Sequence, residues 1–151
     1  MIFDSINFQF FFQLVLAAVL GMSIGAEREH RHKSAGLRTY TLVSIGSTLF
    51  TILSIYGFST GGQIAYDPSR IASQIVVGIG FIGAGMIILK ENKIEGLTTA
   101  ASVWATAAIG MAVGLGFYFI AIFTTILILA VLLALTFLKE KIYPFNDQNS
   151  S

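Results

Sequence analysis

The chain is 151 residues long with a formal net charge of +1, a length suited to one domain and a charge balance that gives no argument for a nucleic-acid partner. Its residues are 55% hydrophobic and only 11% charged, with a mean hydropathy of +0.79, which excludes a water-soluble surface and makes a lipid bilayer the natural solvent. Cysteine is absent, and with it disulfides and thiolate chemistry.

Five apolar runs lie between clusters of charge: Phe8 to Gly25, Leu37 to Phe58, Ile71 to Leu89, Leu97 to Val113 and Phe117 to Leu138. A helix needs about 17–25 apolar residues to cross ~30 Å of hydrocarbon, so each run is long enough. The expected fold is all-α, a multi-pass bundle of about five transmembrane helices over residues 1–138, with a short polar cytoplasmic tail over 139–151.

Asp4 precedes the first run and the basic residues follow it, the reverse of a signal peptide, so the run is expected to be a retained helix. Ala17, Gly21 and Gly25 recur on it every four residues. The stretch "GAEREHRHK" then places Glu27 four before Arg31 and Glu29 four before Lys33, the favourable order for helical ion pairs. Two readings follow: a solvated extension of the first helix, or a polar cluster in which Glu27 and Arg28 face Arg38 at the head of the second run. His30 and His32 fall on different helical faces, which disfavours a metal site.

Before the third run, "DPSR" suits Asp67 as N-cap and Pro68 as the first helical residue. Arg70 opposes the helix dipole, and pairing with Asp67 would account for it; the alternative is that Asp67 attracts an external cation. Within the run, "GIGFIGAG" carries G-x-G-x-x-G at Gly78, Gly80 and Gly83. It has neither the preceding strand nor the acidic residue about 20 positions on that a dinucleotide site requires. On a helix, Ser73, Gly80 and Ala84 share one side, and Gly78 and Gly85 lie nearly opposite beside Gln74. Small residues let helices approach closely in lipid, so the third helix is expected between two neighbours.

The fourth run repeats the device at Ser102, Thr106, Gly110 and Gly114, with Trp104 expected to pack over adjacent glycines. The helix-packing set is thus Gly21, Gly25, Gly78, Gly80, Gly83, Ala84, Gly85, Gly110 and Gly114. Ser and Thr on the second and fourth runs are expected to line a narrow polar seam or to bond to neighbouring helices, and Gln13 and Gln74 are the notable amides. A turn at Gly114 to Gly116 separates the fourth run from the fifth, which has no glycine and large branched side chains, and belongs at the lipid-facing edge. "AGLRTYT" and "EGLTTAA" share Gly-Leu-x-Thr at an offset of 60 residues, with Gly25 and Gly85 in step; a parallel repeat of two hairpins and coincidence both fit.

No ionisable residue falls mid-span, where transporters and proton relays keep theirs. No nucleophile, base and orienting group occur together, so the chain is expected to be non-enzymatic and without cofactor. With the first hydrophilic loop in the cytoplasm, every Lys and Arg except Arg70 lies inside, which places the N-terminus outside and the C-terminus inside.

"GAERE" (Gly25 to Glu29), "AGLRT" (Ala35 to Thr39), "DPSRIASQIVVGIGFIGAGMI" (Asp67 to Ile87) and "GLTTAASVWATAAIGMAVG" (Gly96 to Gly114) together resemble the membrane domain of the MgtC/SapB family. The resemblance covers about Val15 to Leu138. It implies a bacterial inner-membrane protein linked to Mg2+ limitation or envelope stress and, in some pathogens, to virulence. Members are often labelled Mg2+ transporters, and contact with proton-driven ATP synthase is the other role implied. The functional set carried over by motif is Glu27, Arg28, Arg38, Asp67 and Arg70 with the glycines from Gly78 to Gly85. Thr98 and Ala105 stand where some members have Asn and Cys, which makes Thr98 a further candidate. The soluble C-terminal domain of longer members is expected to be lacking. Two functions stay open: helix contacts with itself, as a dimer, or with another membrane complex; or carriage of Mg2+ or a small cation, with Asp67 at the outer mouth, a weak metal candidate, and Glu27 at the inner.

Overall fold

In hydrocarbon no water is available to backbone amides, so each apolar run satisfies its own by coiling. A computed structural model of the chain describes residues 2–57, 67, 69–90 and 92–142, with backbone alone at 2–6 and 136–142. Helices α1 (Ile2–His30), α2 (Leu37–Tyr56), α3 (Ser69–Gly85), α4 (Leu97–Gly114) and α5 (Tyr118–Ile142) follow in order, with strands β1 (Ile88–Lys90) and β2 (Lys93–Glu95) between α3 and α4. The all-α membrane bundle expected from composition is the fold found. Four helices are long and apolar enough to cross a membrane, over Asn7–His30, Leu37–Tyr56, Leu97–Gly114 and Tyr118–Leu135. Helix α3 has 17 residues, about 25 Å of helix against ~30 Å of hydrocarbon.

The third apolar run does not stay helical to Leu89. It leaves the helix at Gly85, and β1 and β2 pair antiparallel with Ile88 opposite Glu95, Leu89 opposite Ile94 and Lys90 opposite Lys93. Glu95 is therefore a strand residue, while Glu91 lies outside the described residues. The cause is local: Ile88 and Ile94 are β-branched and suit a strand, and Asn92 takes φ 63°, the left-handed conformation that a tight hairpin turn demands.

The turn between α4 and α5 falls where the glycines place it. Gly116 has φ 83°, its N–H donates to Val113 O (2.9 Å), and Phe117 N–H reaches Ala112 O (2.8 Å). This paired closure satisfies the carbonyls that a helix leaves open at its end. Helix α1 ends the same way with His32 at φ 52° and Lys33 N–H on Arg28 O at 3.0 Å. Helix α5 continues past Leu138 to Ile142, so the start of the expected tail is helical; residues 143–151, like Phe58 and Pro68, lie outside the described residues.

Backbone approach sets the packing. A Cβ added at Gly21 would stand 2.7 Å from Tyr40 O, and one at Gly25 2.8 Å from Leu37 Cα, which brings α1 against the head of α2. A Cβ at Gly114 would stand 2.7 Å from Thr51 Cβ, and one at Gly110 would collide with Ser44 O, which seats α2 on α4. The buried face of α2 is Tyr40, Ser44, Ser47, Thr48, Thr51, Ile52 and Ser54; its Leu42, Leu49, Phe50 and Leu53 point outward. This inversion suits a bundle in lipid, where small and polar residues serve the contacts. As expected, α5 is the most exposed of the long helices.

Candidate functional site

Beyond the crossing at Gly25, α1 carries its charged turns under the head of α2. The side chain of Arg28 is only 4% exposed and that of Glu27 9%. Arg28 Nε donates to Glu27 Oε2, and Arg31 Nε lies 3.8 Å from Glu27 Oε1 as the expected i,i+4 pair. Glu27 Oε1 accepts no hydrogen bond among the described residues. The segment is thus a helical extension, but the Glu27 and Arg28 pair is buried rather than solvated.

Glu29 does not pair with Lys33, because the helix ends at His30 and Lys33 leaves its face. Its Oε2 accepts the Leu37 N–H at 2.8 Å, capping α2 with an anion where the helix dipole favours one. Arg38 is exposed and makes no ion pair among the described residues, so it does not complete a cluster with Glu27 and Arg28. Thr98 is exposed, and its carbonyl accepts the Ser102 hydroxyl at 2.8 Å.

A polar seam leads from this end into the bundle. Tyr40 is fully buried, its hydroxyl 2.6 Å from Ser102 Oγ. With the Ser102 hydrogen directed at backbone carbonyls, the phenol is the donor. Deeper, Thr48 Oγ1 is 2.9 Å from Ser44 O and 2.7 Å from Gly110 O, so α2 is bonded to α4 beside the glycine that lets them touch. At the far end, Gln13 of α1 donates to Val113 O (2.9 Å) and Gly114 O (3.2 Å), closing the end of α4. Gln13 Oε1 and Ser44 Oγ are buried without a partner among the described residues.

At the opposite end of the bundle, Asp67 Oδ1 accepts the Ser69 N–H at 2.9 Å, the capping role expected of it. Its hydrogen bonds with Ser69, with a smaller contribution from the Arg70 charge, hold the carboxyl below its ordinary 3.8. Arg70 approaches it electrostatically without an ion-pair contact; its carbonyl accepts Ser73 Oγ at 2.8 Å.

The glycines divide. Gly21, Gly25, Gly110 and Gly114 sit at close approaches, and Gly83 lies near Ala100, its added Cβ 3.7 Å from that side chain. An added Cβ at Gly78, Gly80 or Gly85 would meet nothing within 4 Å, and Ala84 is exposed. Helix α3 does touch α4 and α2, but through Ile75, Ile79 and Gly83; the packing expected of Gly78, Gly80, Ala84 and Gly85 is not made among the described residues. Trp104 is 51% exposed and lines a shallow cleft with Val76 and Met111, so it does not cover glycines.

The sequence reading missed Tyr40 and gave Glu29 to Lys33 rather than to the head of α2. The Ser and Thr spacing on α2, at 44, 47, 48, 51 and 54, is the signal that marks Tyr40 as part of the same inward face. Chemically, the assembled groups hold helices together and close their ends. Among the described residues no group of three or more His, Asp or Glu is placed to hold a metal ion.

The profile of the MgtC family matches residues 14–141. The chain is 50% identical over 127 residues to a protein of Escherichia coli (strain K12) named "Putative magnesium transporter YhiD", covering 82% of this chain and 59% of that protein. It is 42% identical over 136 residues to protein SapB of Bacillus subtilis (strain 168), covering 87% and 59%. It is 44% identical over 122 residues to protein MgtC of Salmonella typhimurium (strain LT2), covering 81% and 50%. The chain therefore spans between half and three-fifths of the length of these relatives. No solved structure matches.

Proposed function

The chain belongs to the MgtC family, and from that premise we propose a non-enzymatic, multi-pass protein of the bacterial inner membrane. It works under Mg2+ limitation or envelope stress by helix contacts, with a second copy of itself or with another membrane complex such as ATP synthase. The observation that carries this reading is the outward side of α3. Gly80 and Ala84 are exposed, with no neighbour within 4 Å of an added Cβ at Gly80, and Ser73 shares their side. In lipid, a thin helical side favours the backbone of another helix.

The test is Gly80→Leu with Ala84→Leu. Neither is expected to disturb a contact among the described residues, so insertion is retained, while association in a membrane two-hybrid reporter falls to background. Association unchanged by both substitutions removes the reading.

The magnesium in the name of the Escherichia coli relative favours a second reading, a Mg2+ carrier with Asp67 at one end and Glu27 at the other. Mg2+ sheds water reluctantly and takes one or two carboxylates. Asp67 is exposed and available; Glu27 is committed to Arg28 and Arg31. Flux into liposomes loaded with a Mg2+ dye, abolished by Asp67→Ala, would establish this reading over the first.

A further inference from the structure

Between α2 and α3 runs a groove of about 510 Å3. Leu42, Gly46 and Phe50 form much of one wall and Ile71, Gly78 and Ile82 much of the other; Ser47 and Gln74 are its polar members. It exists because side chains are missing from both walls, since an added Cβ at Gly46 or at Gly78 meets nothing within 4 Å. Leu42 is 68% exposed and Ile82 42%, so the groove opens sideways to the bilayer. Tyr40 meets Ser102 and Thr48 meets Gly110, which makes α2 and α4 parallel. Gly83 faces Ala100, which makes α3 antiparallel to both. Leu42 and Ile82 therefore share the groove's end nearest the heads of α2 and α4.

Arg38 stands at that end. It continues the i,i+4 row Leu42, Gly46, Phe50 by one turn, about 6 Å farther along the axis. It is exposed and has no carboxylate partner among the described residues. An apolar channel with a lone guanidinium at its mouth has the polarity of a phospholipid: hydrocarbon below, phosphate above. Basic sites between membrane helices bind lipid headgroups, and guanidinium matches phosphate oxygens in pairs.

We propose that this groove binds one anionic phospholipid, an acyl chain lying between Gly46 and Gly78 and the phosphate on Arg38. The site is separate from the Ser73, Gly80 and Ala84 side of α3, so it stands or falls independently of the association proposed above; only the leaflet depends on the orientation.

Native mass spectrometry of the purified full chain, titrated with phosphatidylglycerol or phosphatidylcholine of identical acyl chains, tests it. The chain is expected to retain one phosphatidylglycerol in about fivefold preference over phosphatidylcholine, the scale of one basic residue at a lipid surface. Arg38→Gln removes the preference and leaves retention. Gly46→Leu and Gly78→Leu, from opposite walls, each reduce retention of both lipids, so a folding defect in one is recognised by the other. Equal retention of the two lipids by the unmodified chain, a preference that survives Arg38→Gln, or competition by inorganic phosphate alone would overturn the proposal. So would a dimer that Gly46→Leu and Gly78→Leu dissociate without change in bound lipid, because the groove would then hold a second copy.

Discussion

A guanidinium stays charged even when closed off from solvent, so its burial is costly unless an acceptor pairs it, and Arg28 has Glu27 for that purpose. Burying the pair brings little net stability, but removing one member strands the other and costs about 3–5 kcal/mol. Glu27→Gln is therefore expected to destabilise the bundle on that scale in denaturant unfolding from detergent. Glu27→Gln combined with Arg28→Met recovers most of the loss, because the stranded charge is gone. A loss equal in the single and double variants would mean that Glu27 acts through Arg31 instead. The sequence left this burial open between two readings. Glu27, Arg28 and Glu29 in a row after Ala26 fit a solvated face as well as a polar cluster, and only the crossing at Gly25, which brings the head of α2 over them, closes Arg28 from water. Asp67 is the contrary case: a cap is a local arrangement, so its role could be read from Asp-Pro-Ser alone.

Helix pairs in this protein are set by what glycine omits more than by what hydroxyls add. At the α2 and α4 crossing both devices lie side by side, Thr48 bonded to Gly110 O and Gly110 itself against Ser44 and Ser47. Interhelical hydrogen bonds in membranes contribute on average about 0.6 kcal/mol, whereas overpacking a close contact costs about 1–3 kcal/mol. Gly110→Ala is thus expected to destabilise more than Thr48→Val in the same unfolding experiment; the reverse order would make the hydroxyl seam the stronger device. The four-residue spacing on α1 and α4 made these crossings readable, because a helical period and small residues suffice to define a seam. On α3 the period is equally clear, but among the described residues nothing meets an added Cβ at Gly78, Gly80 or Gly85. Spacing identifies a surface able to pack and leaves open what packs on it. The hairpin at Ile88 to Glu95 escaped for a different reason: strands of three residues have no period long enough to separate helix from strand.

The bundle as a whole is electrically one-sided. Helices α2 and α4 start at the same end, so Arg28, Arg31, Lys33, Arg38, Lys90 and Lys93 gather there, while Arg70 lies at the other beside Asp67. We propose that the basic end faces the cytoplasm, since short loops rich in Lys and Arg are retained on that side. A chain without cysteine allows the orientation to be read with single substitutions at exposed positions. In intact spheroplasts Ser69→Cys is expected to react with a membrane-impermeant maleimide and Ser34→Cys to be protected, both reacting once the membrane is opened. The opposite pattern would invert the protein and would put Asp67, Arg70 and the start of α3 in the cytoplasm. The result also fixes the meaning of the groove beside Arg38. With the basic end inside, its lipid is drawn from the inner leaflet, and Arg38 lies in the same interfacial layer as Lys90 and Lys93. Any partner that engages the Gly80 side of α3 then meets a chain already held at that surface by charge.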